Sequence, residues 1–351
     1  MEMDDSKGLV CATGGTGYLA SWLIMKLLQH GYSVYEFEKS FSHELAFGVE
    51  LDPKRQRFIS LPDHKTDVSY LTNLPEASQR LRIFNADMDK PESFSAAIEG
   101  CVGVFHVAHP MNYGDQEIEE EKIRKAVDGT LGILRECLNS KTVKRVVYTS
   151  SRTAVVFNDK GLDTVNESSW SDIHIMKTLK PISAASYVIS KTLTEKVALE
   201  FAEKHGLDLV TVIPSWIHGP FLSPQFPEPL RPAMAMIYGN QENCMKYPSL
   251  TPFVHVDDVA NAHILLLENS KAKGRYICSA VEVTPDELFN FLSARYPEYR
   301  IPNVDSLREI GGIKHPRLSS KKLLDTGFKY KYGLEEMFDG AIECCKQKGL
   351  L

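Results

Sequence analysis

A glycine-rich turn near the start of the chain constrains the fold more than any other feature. The apolar run 9–13 is typical of a short strand, and Gly14, Gly15 and Gly17 follow it directly. Apolar residues then recur at helical spacing as far as Leu28. A strand that enters a helix through glycines presents free backbone N–H groups to an anion at the positive end of the helix. This arrangement predicts a first βα unit that binds the pyrophosphate of a dinucleotide.

Strand and helix patterns continue to alternate through the first half of the chain. The strand patterns lie at 33–37, 81–85, 102–108, 145–149 and 207–213, and the helical patterns lie at 91–99, 117–140 and 184–205. Such alternation favours right-handed crossovers and a parallel sheet with helices on both faces. We therefore predict an α/β fold, a Rossmann-type doubly wound parallel sheet, in an NAD(P)-binding domain over residues 1–215.

The pattern changes in two places. From Trp216 onward prolines cluster and the elements shorten, up to an amphipathic helix near 334–348. We expect 216–351 to form mainly a smaller C-terminal substrate-binding lobe, with some segments that return to the Rossmann core. Residues 39–65 are a long mixed stretch where the next crossover helix should begin, so we expect an atypical insertion there.

Composition excludes several classes of protein. The 351 residues carry a net charge of −6, so no basic surplus indicates nucleic acid or a membrane surface as a partner. No apolar run approaches the roughly 18 residues of a membrane span. Seven scattered cysteines favour reduced thiols, and the short acidic N-terminus lacks a secretory signal. We expect a cytoplasmic monomer or homodimer that acts on a small molecule.

A second motif indicates chemistry. Tyr187 and Lys191 are four residues apart on a predicted helix, so a phenol and an ammonium share one face. A tyrosine has an ordinary pKa near 10, and a neighbouring cation favours the phenolate and lowers that pKa. Ser151, at the end of a buried strand, is placed to bond a substrate oxygen. We predict that Ser151, Tyr187 and Lys191 are catalytic.

These motifs resemble those of the extended short-chain dehydrogenases/reductases. The segments that carry the resemblance are 13–20, 148–151 and 187–191, and those at 104–108, 127–131 and 253–260 are typical of the plant dihydroflavonol reductase, vestitone reductase and noscapine synthase group. The resemblance covers nearly the whole chain. It implies an NADP-dependent oxidoreductase that transfers hydride between nicotinamide and a carbonyl or alcohol of a plant specialised metabolite, of flavonoid, isoflavonoid or alkaloid type.

The resemblance also implies a role for each matching residue. Tyr187 would donate a proton to the substrate carbonyl oxygen, Lys191 would lower the pKa of that phenol and hold the nicotinamide ribose, and Ser151 would orient the carbonyl. The residues expected to bind the cofactor are Gly14, Gly17, Tyr18, Ala20, Glu38, Lys39, Asp87, Ala108, Tyr187, Lys191 and Pro214.

The choice of dinucleotide depends on the end of the second strand. An acid there bonds the ribose 2′-hydroxyl of NAD, whereas a cation accepts the 2′-phosphate of NADP. This chain offers Glu36, Glu38 and Lys39, so the local evidence is divided. The resemblance favours NADP(H), with NAD(H) a close alternative.

Three residues depart from the group's pattern beside the substrate. Val156 stands where dihydroflavonol reductases place an asparagine, Arg152 replaces a small residue, and His109 replaces a small hydroxyl residue. We therefore expect a substrate other than a standard dihydroflavonol.

Two other functions stay open at this point. A non-catalytic dinucleotide-binding redox sensor is one, although such proteins usually lose the tyrosine or the lysine. An NAD-dependent nucleotide-sugar epimerase or dehydratase is the other, and Glu38 fits it. His106 and His109 lack further ligands at suitable spacing, so we predict no metal site. We expect Asp257 or Asp258 to cap the helix that follows His255.

Overall fold

The computed structural model describes residues 7–38, 67–88, 90–109, 120–158, 160–177, 182–238, 249–302, 305 and 315–351. The strands are β1 (Leu9–Thr13), β2 (Ser33–Glu38), β3 (Leu81–Asn85), β4 (Gly103–His106), β5 (Arg145–Thr149), β6 (Thr164–Val165), β7 (Leu209–Pro214), β8 (Trp216–His218), β9 (Thr251–His255), β10 (Gly274–Cys278), β11 (Val281–Val283) and β12 (Arg317–Leu318). The expected insertion at 39–65 lies outside the described residues.

The helices are α1 (Tyr18–Gln29), α2 (Ser69–Thr72), α3 (Ala77–Arg80), α4 (Ser95–Ile98), α5 (Glu120–Ser140), α6 (Thr153–Val156), α7 (Ile173–Met176), α8 (Ile182–His205), α9 (Arg231–Tyr238), α10 (Val256–Glu268), α11 (Pro285–Arg295), α12 (Lys321–Leu324) and α13 (Leu334–Gln347). Two 3-10 turns lie at Pro91–Phe94 and Glu228–Leu230. The helix predicted over 91–99 is thus a 3-10 turn followed by the short α4. None of the described helices is both long enough and apolar enough to cross a bilayer.

Seven parallel strands form the central sheet, in the order β3-β2-β1-β4-β5-β7-β10. The order reverses beside β1, which pairs with β2 on one side and with β4 on the other. In an open parallel sheet a ligand binds outside the carboxyl ends of the strands at such a reversal. The predicted Rossmann-type fold is confirmed, and its switch point lies where the glycine turn follows β1.

Helices cover both faces of the sheet because successive strand residues point to opposite sides. Val10 and Ala12 belong to the apolar core that α1 and α10 share, whereas Cys11 belongs to the core beneath α5 and α8. Continuously buried strands of this kind are typical of parallel sheets. The sheet is therefore a rigid platform for the residues at its carboxyl edge.

A smaller three-stranded sheet, in the order β11-β9-β8, stands beyond that edge. The chain returns from it to the large sheet, since β10 pairs in parallel with β7. The two-residue strands β6 and β12 also pair, which joins the middle of the chain to its last part. The boundary between residues 215 and 216 itself stays a prediction.

The predicted cap of α10 is wrong. His255 is the N-cap residue, and its Nδ1 accepts a hydrogen bond from the backbone N–H of Asp257 at 3.0 Å. The Asp257 carboxylate instead accepts from Trp22 Nε1 at 2.9 Å, and Asp258 accepts from the backbone N–H of Lys331 at 3.1 Å. Because the imidazole serves the helix end, both carboxylates are available to tie α10 to neighbouring segments.

Arg145 at the start of β5 joins three elements and gives a test of the core. Its guanidinium is buried, donates to Leu266 O at 2.8 Å and to Ala272 O at 3.2 Å, and pairs with Asp208 at 2.7 Å. We expect Arg145→Met to lower the free energy of unfolding by about 3 kcal/mol. The substitution leaves buried carbonyl acceptors without a hydrogen-bond donor and the Asp208 carboxylate without its cation.

Urea denaturation followed by circular dichroism measures this loss. Lys321→Met is the control, since Lys321 forms an exposed pair with Asp325 and its loss should change stability by less than about 1 kcal/mol. Equal stability of the two variants would contradict a structural role for Arg145.

Candidate active site

The glycine turn is built to receive an anion. Gly17 N donates to Gly14 O at 2.8 Å, and Gly14 has a φ of +74°, which favours glycine. The first hydrogen bond within α1 runs from Ser21 N to Gly17 O at 2.9 Å, so the earlier N–H groups point out of the helix end. A Cβ on Gly14 would lie 3.1 Å from Ala108, at the end of β4. The turn fits the pyrophosphate of a dinucleotide.

Two predicted cofactor residues, Tyr18 and Ala20, begin α1 after this turn, and a third, Asp87, follows β3. Ala20 is buried in the first turn of α1, and Asp87 follows β3, where its N–H donates to Ser93 Oγ at 3.0 Å. The Tyr18 hydroxyl is directed away, since it donates to Gly219 O at 3.1 Å, and any cofactor contact would come from its backbone. The contacts of these residues with a cofactor stay predictions.

A buried hydroxyl–imidazole chain fixes β4 beside the turn. Thr13 Oγ1 accepts from the N–H groups of Val107 at 3.1 Å and Ala108 at 3.0 Å, so its own proton goes to His106 Nδ1 at 2.9 Å. His106 Nε2 therefore carries the ring proton and donates to Thr130 Oγ1 at 3.1 Å. Burial lowers the pKa of His106 to about 3, so the ring is neutral. His106 is a buried core residue whose two ring nitrogens both have partners.

The acid at the adenosine side of the turn is Glu36. Its side chain is fully buried, and a Cβ on Gly15 would lie only 1.7 Å from Glu36 Oε2. Glycine at position 15 therefore makes room for this carboxylate. Glu38 is the last residue of β2, but its side chain, like the whole of Lys39, lies outside the described residues.

The catalytic candidates meet at the carboxyl end of β5. Lys191 Nζ donates to Thr149 O at 3.0 Å, and the Tyr187 phenol is hydrogen-bonded to Ser151. The His109 ring stands edge-on to Tyr187 with ring centroids 5.7 Å apart. The structure thus brings Ser151, Tyr187 and Lys191 together, while their catalytic roles stay predictions.

Burial controls the ionisation of this pair. Burial raises the pKa of Tyr187, and the hydrogen bond from Ser151 and the charge of Arg152 oppose that rise. Burial lowers the pKa of Lys191 to about 7, and the charge of Glu195 opposes that fall. The expected lowering of the phenol pKa by Lys191 is not what this structure shows, because the ammonium is directed to the Thr149 carbonyl.

The sequence analysis missed Glu195, one turn beyond Lys191. Its carboxylate is fully buried and forms a two-pronged ion pair with Arg275, at 2.8 Å from Nε and 3.0 Å from Nη2. Ser150 Oγ also donates to it at 2.7 Å. The sequence spacing could have identified Glu195, because residues 187, 191 and 195 lie on one helix face.

Arg152 and its neighbours form one side of the site. The Arg152 N–H donates to Pro214 O at 3.0 Å, which places the end of β7 beside Ser151. The guanidinium lies over the Trp216 ring, 5.4 Å from its centroid. Val156 is buried in an apolar cluster, so the asparagine of dihydroflavonol reductases has an aliphatic replacement here. Within the described ranges no group of three His, Cys, Asp or Glu side chains could hold a metal ion.

Comparisons with known proteins agree with this fold and with these motifs. Residues 10–278 match the NAD dependent epimerase/dehydratase family. Vestitone reductase of Medicago sativa is 49% identical over 99% of this chain and 100% of that protein, and noscapine synthase of Papaver somniferum is 45% identical over 100% and 96%. The crystal structure of vestitone reductase from alfalfa covers 98% of this chain and 100% of its own, with 48% identity and a TM-score of 0.80. The expected family resemblance and fold are confirmed.

The Thr13 hydroxyl provides a test of how β4 is held. Thr13→Val keeps the shape of the side chain but leaves two N–H groups and an imidazole without their partner. We expect a loss of about 1–3 kcal/mol in the free energy of unfolding and weaker NADPH binding. Thermal denaturation and quenching of protein fluorescence by NADPH measure the two effects.

Thr211→Val is the matched control. Thr211 is a fully buried strand residue whose Oγ1 has no hydrogen-bond partner among the described residues, so its replacement should be neutral or stabilising. A Thr13 variant as stable as the Thr211 variant would contradict the proposed chain of hydrogen bonds.

Proposed function

This chain belongs to the NAD dependent epimerase/dehydratase family and is an NAD(P)-dependent oxidoreductase of the extended short-chain dehydrogenase/reductase type, and from that premise we propose its substrate and catalytic residues. The substrate is a carbonyl compound among polycyclic plant metabolites, of flavonoid, isoflavonoid or alkaloid type. The observation that carries the proposal is the hydrogen-bonded Ser151–Tyr187 pair at the strand end beside the glycine turn. The reductases named for vestitone and the synthase named for noscapine support the substrate class.

Two polar groups would act on the substrate oxygen. Ser151 Oγ donates a hydrogen bond to the carbonyl oxygen, and the Tyr187 phenol transfers its proton to that oxygen as charge develops there. Because burial raises its pKa, Tyr187 holds this proton at neutral pH until the oxygen becomes basic. The nicotinamide, when bound, supplies the hydride. In oxidation the Tyr187 phenolate takes the proton from the alcohol.

The glycine turn and its surroundings would hold the dinucleotide. Gly14, Gly17 and the N–H groups at the start of α1 would hold the pyrophosphate, Asp87 the adenine, and Lys191 the nicotinamide ribose. Ala108, which lies against Gly14, would be beside the cofactor at the end of β4, and Pro214 would lie near the nicotinamide. NADP(H) is the proposed cofactor with NAD(H) the close alternative, and Lys39 would meet the 2′-phosphate.

The wall beside Ser151 argues against a standard dihydroflavonol as substrate. The buried Arg152 on Trp216 and the His109 ring beside Tyr187 reduce the space next to the reacting carbonyl. Val156 offers no hydrogen bond to a catechol ring. A substrate with fewer hydroxyl groups than a dihydroflavonol fits this site better.

The remaining proposals concern organisation. Residues 1–215 act as the NAD(P)-binding domain and 216–351 mainly as the substrate-binding lobe. The protein works in the cytoplasm as a monomer or homodimer, without nucleic acid or membrane partners.

The choice of dinucleotide has a direct test at Glu36. Its carboxylate abuts Gly15 at the adenosine side and repels a 2′-phosphate, so Glu36→Gln should strengthen NADPH binding several-fold and leave NADH binding nearly unchanged. Fluorescence titration with each dinucleotide measures this, and Glu268→Gln, far from the turn, is the control. Equal gains for both dinucleotides would contradict a charge effect.

The proton donor has a test at Tyr187. Tyr187→Phe should lower kcat for carbonyl reduction at least a hundredfold, because a positioned acid contributes about that much, and should leave NADPH affinity nearly unchanged. Loss of NADPH absorbance with a panel of flavonoid, isoflavonoid and alkaloid ketones measures turnover. Unchanged turnover would refute the assignment, and NADPH binding without turnover in the wild type would favour a redox sensor.

A further inference from the structure

Residues 149–151, at the end of β5, are bonded one by one to a row of side chains on α8. Residue 151 bonds Tyr187, and the carbonyl of 149 accepts from Lys191. Residue 150, between them, donates its hydroxyl to Glu195 at 2.7 Å. Since the three α8 residues are one helical turn apart, a shift of the helix along the strand would break all three bonds together.

Glu195 is the most deeply buried member of this row. It has no exposed surface, and its two oxygens accept from Arg275 Nε at 2.8 Å and Nη2 at 3.0 Å as well as from Ser150. Paired hydrogen bonds of this planar kind fix both position and orientation. The carboxylate thus anchors α8 both to β5 and to β10 at the far edge of the sheet.

Arg275 is itself held on its outer side. Its guanidinium lies 3.6 Å from the centroid of the Trp170 ring and donates to Glu167 O at 2.8 Å and to Ser169 O at 2.7 Å. The guanidinium cannot follow Glu195 if that side chain moves. The anchor is therefore rigid from the edge of the sheet to the end of β5.

We propose that Glu195 is a positioning residue that holds α8 in register on β5 and supplies the counter-charge that keeps Lys191 an ammonium. The inference rests on the proposed function, in which Lys191 binds the cofactor ribose beside Tyr187. Glu195 contacts neither substrate nor cofactor in this account and acts through Lys191 and Ser150.

The charged and titratable groups around Lys191 also support a counter-charge role for Glu195. From its own helix Glu195 faces it, and from the β4 and β5 side come His106, His109 and the Tyr148 ring, which lies 5.9 Å from Nζ. Burial and Lys191 itself lower the pKa of both histidines, and burial raises that of Tyr148, so these groups are neutral near pH 7. Glu195 is the acid, among the described residues, whose charge favours the protonated lysine, and Arg275 on β10 shares that carboxylate.

The experiment measures NADPH affinity and kcat/KM against pH. Removal of the carboxylate charge in Glu195→Gln disfavours the ammonium, so the pKa of Lys191 falls. The alkaline limb, above which NADPH affinity and kcat/KM decline, should therefore move to lower pH by about one unit. Ser150→Ala leaves the charge in place, so its alkaline limb should stay while kcat drops about tenfold.

Asp208→Asn is the matched control. Asp208 also pairs with a buried arginine of the central sheet, Arg145, but at the amino end of the strands. The control should lose stability without any change in the pH profile. Its profile separates a general loss of stability from the specific effect of Glu195.

Several outcomes would overturn the inference. The counter-charge role is contradicted if the alkaline limb of Glu195→Gln coincides with that of the wild type. It is also contradicted if the NADPH affinity of the wild type does not vary with pH. Unchanged kcat in Ser150→Ala contradicts the positioning role. If Glu195→Gln does not fold, Glu195→Asp decides, since a retained charge must leave the limb in place. Failure of the wild type to reduce any ketone refutes the proposed function alone, because NADPH binding still reports on Glu195.

Discussion

The attachment of α8 to the carboxyl end of β5 is the interaction on which the rest of the site depends. A parallel sheet places the ends of its strands accurately, but apolar contacts are non-directional and define the register of a helix packed on it less sharply than hydrogen bonds do. The bonds from residues 149–151 to Tyr187, Lys191 and Glu195 remove that freedom. The positions of the candidate catalytic side chains are therefore set by buried polar contacts.

These polar contacts persist in the interior because each of the following groups is paired with a partner of matching character. Lys191 meets a carbonyl, Glu195 meets a guanidinium and a hydroxyl, and His106 meets two threonines. A buried hydrogen bond is strong because its surroundings have a low dielectric constant, and the same surroundings penalise a group that loses its partner. The site is consequently rigid before any ligand arrives, and single substitutions within it should have large effects.

The sequence sufficed to predict the fold and to name three polar residues, Ser151, Tyr187 and Lys191, that the structure brings together. The glycine turn and the strands at 81–85 and 145–149 follow from local pattern, because each depends on residues adjacent in the chain. Glu195 was not predicted because its role depends on an ion pair with Arg275. Arg275 is eighty residues away in the chain, and only the folded sheet brings it near. The cap of α10 was predicted wrongly for a related reason. Propensity favours aspartate at a helix start, but Asp257 and Asp258 are engaged by distant partners and His255 serves instead.

The most direct measurement is a crystal structure of the protein with NADP⁺ bound. The pyrophosphate should lie at the turn formed by Gly14 and Gly17, and the nicotinamide ring should lie between Pro214 and the Ser151–Tyr187 pair, with Lys191 at the ribose. Glu195 should keep its bonds to Ser150 and Arg275. A nicotinamide ring distant from Tyr187, or a Lys191 side chain that does not reach the ribose, would contradict the account.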